Sequence, residues 1–219
     1  MTAGPDEVGT GRLIALEGID GCGKSTQARL LGAATGALVT GEPGGTPVGK
    51  ALRRVLLDPD LPAPAVRTEA LLMAADRSEH VARVVRPALA EGRWVVTDRW
   101  SGSTMAYQGH GRGLSLRALA DLVCWAADGV EADLVVLVDV PLDVASARAA
   151  RRTASRPVDR IEAAGADFLD TVRRGFLSLA AADAERWVVV DGTGRPASVA
   201  EAVRAAVERS LGTPPGGWR

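Results

Sequence analysis

Five short runs of apolar and β-branched residues recur along the chain without polar alternation: Leu13–Glu17, Leu38–Gly41, residues 94–98, Leu134–Asp139 and Trp187–Asp191. A strand with one wet face alternates, whereas an uninterrupted run suits a strand covered on both sides, as in a parallel sheet. Between the runs lie stretches with helical periodicity, over 24–35, 46–58, 66–91, 114–128, 142–153, 160–182 and 197–211. Pro87 lacks an amide proton and crowds the preceding turn, so the third stretch is expected to kink or end there. Strand–helix alternation of this kind predicts an α/β fold, a doubly wound parallel five-stranded sheet flanked by helices, with right-handed crossovers. No repeat or shift in composition marks a boundary. Residues 1–219 are therefore expected to form one domain, with Gly/Pro-rich tails at 1–10 and 212–219 that fray.

Composition narrows the function classes. Lys+Arg number 26 against 27 Asp+Glu, a formal net charge of -1, which argues against binding nucleic acid through bulk positive charge. Two cysteines build no disulfide framework and point to a reducing compartment. The N-terminal residues lack a basic segment leading into an apolar run, and no stretch is apolar enough to span a bilayer. The expectation is a cytoplasmic protein with no membrane partner. All but two of the basic residues are arginine, the exceptions being Lys24 and Lys50; asparagine is absent, and His80 and His110 are the only histidines. Histidine-based metal sites and catalytic triads thus have little raw material, and both histidines are expected to be solvent-facing or structural.

After the first run comes Gly18-Ile19-Asp20-Gly21-Cys22-Gly23-Lys24-Ser25-Thr26, which fits G-x-x-x-x-G-K-[ST] between a strand and a helix. Glycines let the backbone curl so that its N–H groups face phosphate oxygens; Lys24 would reach the β- and γ-phosphates and Ser25 would hold Mg²⁺. The following helix adds its N-terminal dipole. This makes the sheet phosphate-loop-NTPase-like and implies ATP with Mg²⁺. Cys22 reads as a reactive thiol at a helix start or as a small loop filler.

The remaining motifs choose among phosphate-loop classes. A chain without asparagine cannot supply the guanine reader of a GTPase, and neither Asp98 nor Asp139 is followed by the glutamate of an ATPase motor. Instead, Asp98-Arg99-Trp100-Ser101-Gly102-Ser103-Thr104-Met105-Ala106-Tyr107-Gln108-Gly109 follows an apolar strand. Asp98 at a strand end can hold Mg²⁺, Arg99 can span a transferring phosphoryl group, and the hydroxyls and amide suit a nucleobase and sugar.

EGIDGCGKST at 17–26, EPGGTPVGKALRRVLLD at 42–58, DRWSGSTMAYQG at 98–109 and DRIE at 159–162 together resemble the bacterial-type thymidylate kinases over nearly the whole chain. The resemblance implies transfer of phosphate from ATP to dTMP, and a homodimer. It places Asp20 near the acceptor's 3′-hydroxyl and the metal, and Arg53 and Arg77 at the acceptor phosphate and base. Arg99 would bridge the donor and acceptor phosphates, with Ser103, Thr104 and Gln108 at thymine and Tyr107 at the deoxyribose. Met73 stands where the family has a phenylalanine stacked on thymine, and a thioether can still cover a base face. The phosphate loop carries no arginine, so charge over the γ-phosphate is expected from a lid at about 148–160, with Arg148 binding nucleotide and Arg152 and Arg160 acting in catalysis. Other readings of the chain are a kinase for a different deoxynucleoside monophosphate, or a catalytically silent nucleotide-binding module.

Overall fold

The structure, a computed structural model, describes residues 11–153, 160 and 164–219. Strands β1 (Leu13–Glu17), β2 (Leu38–Gly41), β3 (Val95–Asp98), β4 (Leu134–Asp139) and β5 (Trp187–Asp191) form one sheet in the order β2-β3-β1-β4-β5. Every pairing is parallel; Ala15 of the central strand lies between Thr97 of β3 and Val135 of β4. The period-2 alternation of a strand divides β1 between two cores. Ile14 and Leu16 pack with Val136, Val138, Phe176 and Val203 on one face; Leu13 and Ala15 pack with Val85, Val95 and Trp100 on the other. Both faces are dry, which explains the unbroken apolar runs.

The helices are α1 (Lys24–Thr35), α2 (Pro47–Leu57), α3 (Val66–His80), α4 (Arg86–Ala90), α5 (Ser101–Thr104), α6 (Leu116–Ala126), α7 (Leu142–Thr153), α8 (Ala166–Ala182) and α9 (Pro196–Leu211). Thr46 starts α2 by accepting from the Gly49 amide at 2.9 Å, with Pro47 in the first turn, where its missing donor is harmless.

Two segments differ from the sequence expectation for physical reasons. The helix ahead of Pro87 does not stop there: it widens into a π-helical turn over Val81–Val85 and re-enters α-helix as α4, with Pro87 in the first turn. The wider turn makes room for a ring that lacks a donor. The C-terminal tail makes contacts that its Gly/Pro-rich composition does not announce. Trp218 packs against the core under Arg204, 4.5 Å from its ring centroid, and the Arg219 amide donates to Ala34 at 2.8 Å. The N-terminal tail, 1–10, lies outside the described residues.

Candidate active site

All the chemistry converges at the C-terminal ends of β1, β2 and β3, where ligands of open α/β sheets bind. The loop from Gly18 to Gly23 leaves β1 and turns into α1. Gly21 sits at φ 85, and a Cβ there would come within 2.2 Å of the Ala145 carbonyl, so the loop closes only with glycine. No side chain caps α1 at Gly23, so none competes with phosphate oxygens at the start of the helix. Lys24 is buried; its Nζ donates to Ile19 O and Asp20 Oδ1 over 3.3 Å each. Thr26 and Arg148 line a cleft beside the loop together with Gly23, Gly192, Gly194 and Pro196. The Arg148 guanidinium donates to the carbonyls of Cys22, Gly192 and Thr193, joining α7 to the loop. Cys22 is buried, and burial pushes its thiol up despite Lys24 nearby, which favours the loop-filler reading.

Arg99 is the hub. It follows β3 at φ 76, a conformation that costs a non-glycine residue roughly 1–3 kcal/mol and persists where surrounding contacts impose it. Its Nη1 donates to Gly18 O at 3.2 Å and Ser103 Oγ at 2.9 Å; its Nη2 donates to Asp20 Oδ1 at 2.7 Å and Tyr107 Oη at 3.3 Å. The guanidinium also lies 5.0 Å over the Tyr107 ring. Burial alone would raise the Asp20 carboxyl, but Arg99 and Lys24 outweigh it and hold the group well below the usual carboxylate range. Burial likewise drives the Tyr107 hydroxyl far above the ordinary phenol range, so it stays a donor, reaching Asp20 Oδ2 at 3.2 Å.

Across from the loop, α2 and α3 form the second wall. Pro43, Arg53, Leu57 and Met73 face Asp20, Arg99, Ser103 and Tyr107 around one cleft. Arg53 Nη1 donates to Pro43 O at 3.0 Å. Arg77, one turn after Met73 on α3, is buried: Nε and Nη2 donate to Glu42 Oε2 at 2.9 and 2.7 Å, Nη1 donates to Thr104 Oγ1 at 3.1 Å, and the group stacks 5.4 Å from the Trp100 centroid. Ser103 is committed to Glu17, through Oγ at 2.6 Å and its amide at 2.9 Å, while Gln108 is fully buried and donates to Glu69 at 2.8 Å. Ser103 still lines the cleft, and Gln108 keeps a buried Oε1 without a hydrogen-bond partner.

A divalent cation would find hard oxygen donors at the end of β3. Asp98 Oδ1 is buried without a hydrogen-bond partner, and Ser25 stands exposed at the start of α1. Among the described residues no group of three or more His, Cys, Asp or Glu is placed to hold a metal ion.

The lid expectation divides. Arg148 lies at the donor cleft, whereas Arg160 donates to the carbonyls of Leu56, Asp58 and Leu61 at and just beyond the end of α2. The backbone of Arg152 is in α7, but its side chain, like Arg156, lies outside the described residues. Both histidines are structural. His110 packs its ring on Gly175, and His80 is completely buried.

Sequence reasoning missed the carboxylates behind the site. Glu17, at the end of β1, is 0% exposed and accepts from the amides of Trp100 and Ser103 at 2.9 Å each. It thereby caps the helical segment α5 and its π-helical continuation, Met105–Gly111, which no local start signal announced. Burial raises the Glu17 carboxyl above its ordinary value, though Ser103 and Arg99 oppose the shift. Glu42, Glu69 and Asp76 are buried too.

The geometry agrees with what the chain is similar to. A family model described as thymidylate kinase matches residues 16–203. A thymidylate kinase from Synechococcus sp. (strain CC9311) is 45% identical over 208 residues, covering 90% of this chain and 95% of that one. One from Cupriavidus metallidurans is also 45% identical, covering 93% and 98%. The crystal structure of thymidylate kinase from Ehrlichia chaffeensis superposes with a TM-score of 0.71 at 27% identity, covering 90% of this chain and 98% of its own. The chain belongs to the thymidylate kinase family.

Proposed function

We propose that this enzyme moves the γ-phosphoryl group of ATP to dTMP in the cleft between the phosphate loop and α3, giving ADP and dTDP. The observation that carries the assignment of roles is Arg99, which touches Gly18 and Asp20 of the donor loop and Ser103 and Tyr107 of the acceptor cleft with one guanidinium. A planar fork in that position spans both phosphates and neutralises charge as it builds between them. The acceptor phosphate, with a second pKa of about 6, is already ionised at neutral pH, so no general base is required. Catalysis is then positioning and charge neutralisation by Lys24, Arg99 and the loop amides. Mg²⁺, held by Ser25 and Asp98, supplies Lewis-acid stabilisation when bound.

Base choice follows from donor and acceptor arithmetic. Arg77 carries donors only and, backed by Glu42 and Thr104, suits the O4 acceptor of thymine while opposing the amine of cytosine. Met73 covers the base, Tyr107 the sugar, and Arg53 meets the acceptor phosphate. Arg160 would have to release three carbonyls to approach the phosphates, which leaves lid charge to Arg148 and Arg152.

A homodimer is supported by exposed apolar side chains on three helices packed side by side: Val48 and Val55 on α2, Leu71 on α3, and Trp125, 80% exposed, on α6. A cytoplasmic location is consistent with the described helices, none of which is long and apolar enough to cross a membrane. The roles are tested by Arg99→Ala in a coupled ADP-release assay: kcat should fall by about 10²–10³, and turnover near the parental rate would remove Arg99 from the chemistry.

A further inference from the structure

His80 has no contact with the cleft, yet every polar atom of its ring is engaged. It is 0% exposed. Nδ1 lies 2.9 Å from Glu42 Oε1, and Nε2 lies 2.7 Å from Thr40 Oγ1. An ionised carboxylate only accepts, so Nδ1 carries the proton and donates to Glu42. The same carboxylate uses its other oxygen, Oε2, to receive Nε and Nη2 of Arg77 at 2.9 and 2.7 Å. One histidine, one carboxylate and one arginine thus form a chain running from β2 to the acceptor wall.

Packing leaves this chain little freedom. A Cβ at Gly45 would lie 2.7 Å from His80 Cδ2 and 2.9 Å from Nε2, so the turn after Glu42 rests directly on the imidazole. Trp100 meets His80 edge-on at 6.2 Å and lies under Arg77 at 5.4 Å. Asp76, one turn earlier on the same helix face, accepts from the Gly44 amide at 2.9 Å and holds the far side of that turn. Without a donor at Nδ1, the Glu42 carboxylate is free to rotate about its terminal torsion, and Arg77 rotates with it.

We infer that His80 is a positioning residue for the acceptor site: it fixes the plane of the Glu42 carboxylate, and Glu42 in turn aims the Arg77 guanidinium at the base. The inference rests on the reading of Arg77 as an acceptor-site residue. It adds a determinant of dTMP affinity that touches no substrate. Geometry lost at one remove weakens binding of the acceptor while leaving the donor loop intact.

The test compares His80→Leu with His80→Asn. The two side chains have nearly the same shape and open the same space, but only asparagine offers an N–H near the position of Nδ1. His80→Leu should raise KM for dTMP by roughly 10–100-fold, the range expected for losing a hydrogen bond to a charged group, and should narrow the preference for dTMP over dCMP. KM for ATP should stay within about twofold of the parent, and His80→Asn should recover KM for dTMP to within about threefold. Should the leucine variant fail to fold, His80→Gln replaces it; its amide reaches the Thr40 end and supplies no donor to Glu42, so it should behave as leucine does. Equal KM values for the asparagine variant and its donor-less counterpart would overturn the inference, as would a matching rise in KM for ATP. Arg77→Ala run alongside separates the two readings: an unchanged KM for dTMP there would overturn the role of Arg77, and the positioning role with it.

Discussion

The two walls of the cleft hold their cations in different ways. On the acceptor side Arg77 is buried, donates three hydrogen bonds of 2.7–3.1 Å to Glu42 and Thr104, and stacks on Trp100. On the donor side, among the described residues, Lys24 Nζ makes two hydrogen bonds, both at 3.3 Å, and Arg148 donates to three backbone carbonyls. Carboxylates fix the first wall before any substrate arrives. The second wall offers backbone amides and lightly held cations that anionic phosphates complete. The contrast suits the ligands: a neutral base is discriminated by rigid, pre-satisfied polar groups, whereas a polyphosphate supplies its own charge and needs a receptive cradle. Arg99 belongs to both walls, since Asp20 holds it and Ser103 and Tyr107 aim it.

The contrast is broken most severely at Lys24. Lys24→Ala removes the cation that completes the donor cradle, and kcat should fall by a factor equivalent to about 3–4 kcal/mol of barrier, with KM for dTMP little changed. Steady-state kinetics at saturating dTMP decides this, and a change confined to KM for dTMP would contradict the division of labour.

Next in size is a stability effect on the acceptor side. Burial raises the Asp76 carboxyl from an ordinary 3.8 to about 6, with the Gly44 amide opposing the shift, Glu42 adding to it, and His80 and Arg77 opposing it. A carboxyl with a raised folded-state pKa binds more protons folded than unfolded between those values. Its contribution is therefore fully present below about pH 4 and lost as pH rises through about 6. Asp76→Asn keeps an acceptor for Gly44 and removes the titration. The stability of the variant relative to the parent should climb between pH 4 and 6.5 by up to about 3 kcal/mol, read from urea unfolding at each pH. Parallel curves would show that Asp76 does not titrate in the folded protein.

Arg148→Ala should raise KM for ATP about tenfold, the scale of a single charge-assisted contact, while leaving KM for dTMP alone. Equal effects on both substrates would place Arg148 in the fold rather than at the donor. The smallest change is Met73→Phe, expected to lower KM for dTMP a few-fold, because a rigid ring covers a base with about 0.5–1.5 kcal/mol more than area alone. A higher KM would mean the cleft has no room for the ring.

What the sequence made legible is what it encodes locally. The phosphate loop and the 98–109 segment are each contiguous in the chain, and Asp20 of the first lines one cleft with Arg99, Ser103 and Tyr107 of the second. The groups that hold that cleft in shape were not legible, because their partners come from distant parts of the chain. Glu17 serves Trp100 and Ser103 across the sheet, and Glu42 serves Arg77 and His80 from another element. An acidic residue in an apolar run ordinarily ends a strand facing water; nothing in LIALEG signals that Glu17 is buried to cap a helix more than eighty residues later. Ser103 and Gln108 were legible as polar residues of the 98–109 segment, but their partners Glu17 and Glu69, distant in the chain, were not.

The central claim is that a preformed, donor-lined acceptor wall selects thymine while the phosphate loop receives ATP. It is tested most directly by kcat/KM for ATP-dependent phosphorylation of dTMP, dUMP and dCMP under identical conditions. The account predicts that dTMP exceeds dCMP by roughly 10³ or more, because cytosine sets an amine against Arg77, and exceeds dUMP by only about 10–200-fold, because a methyl group alone is missing. Comparable efficiency with dTMP and dCMP would contradict it.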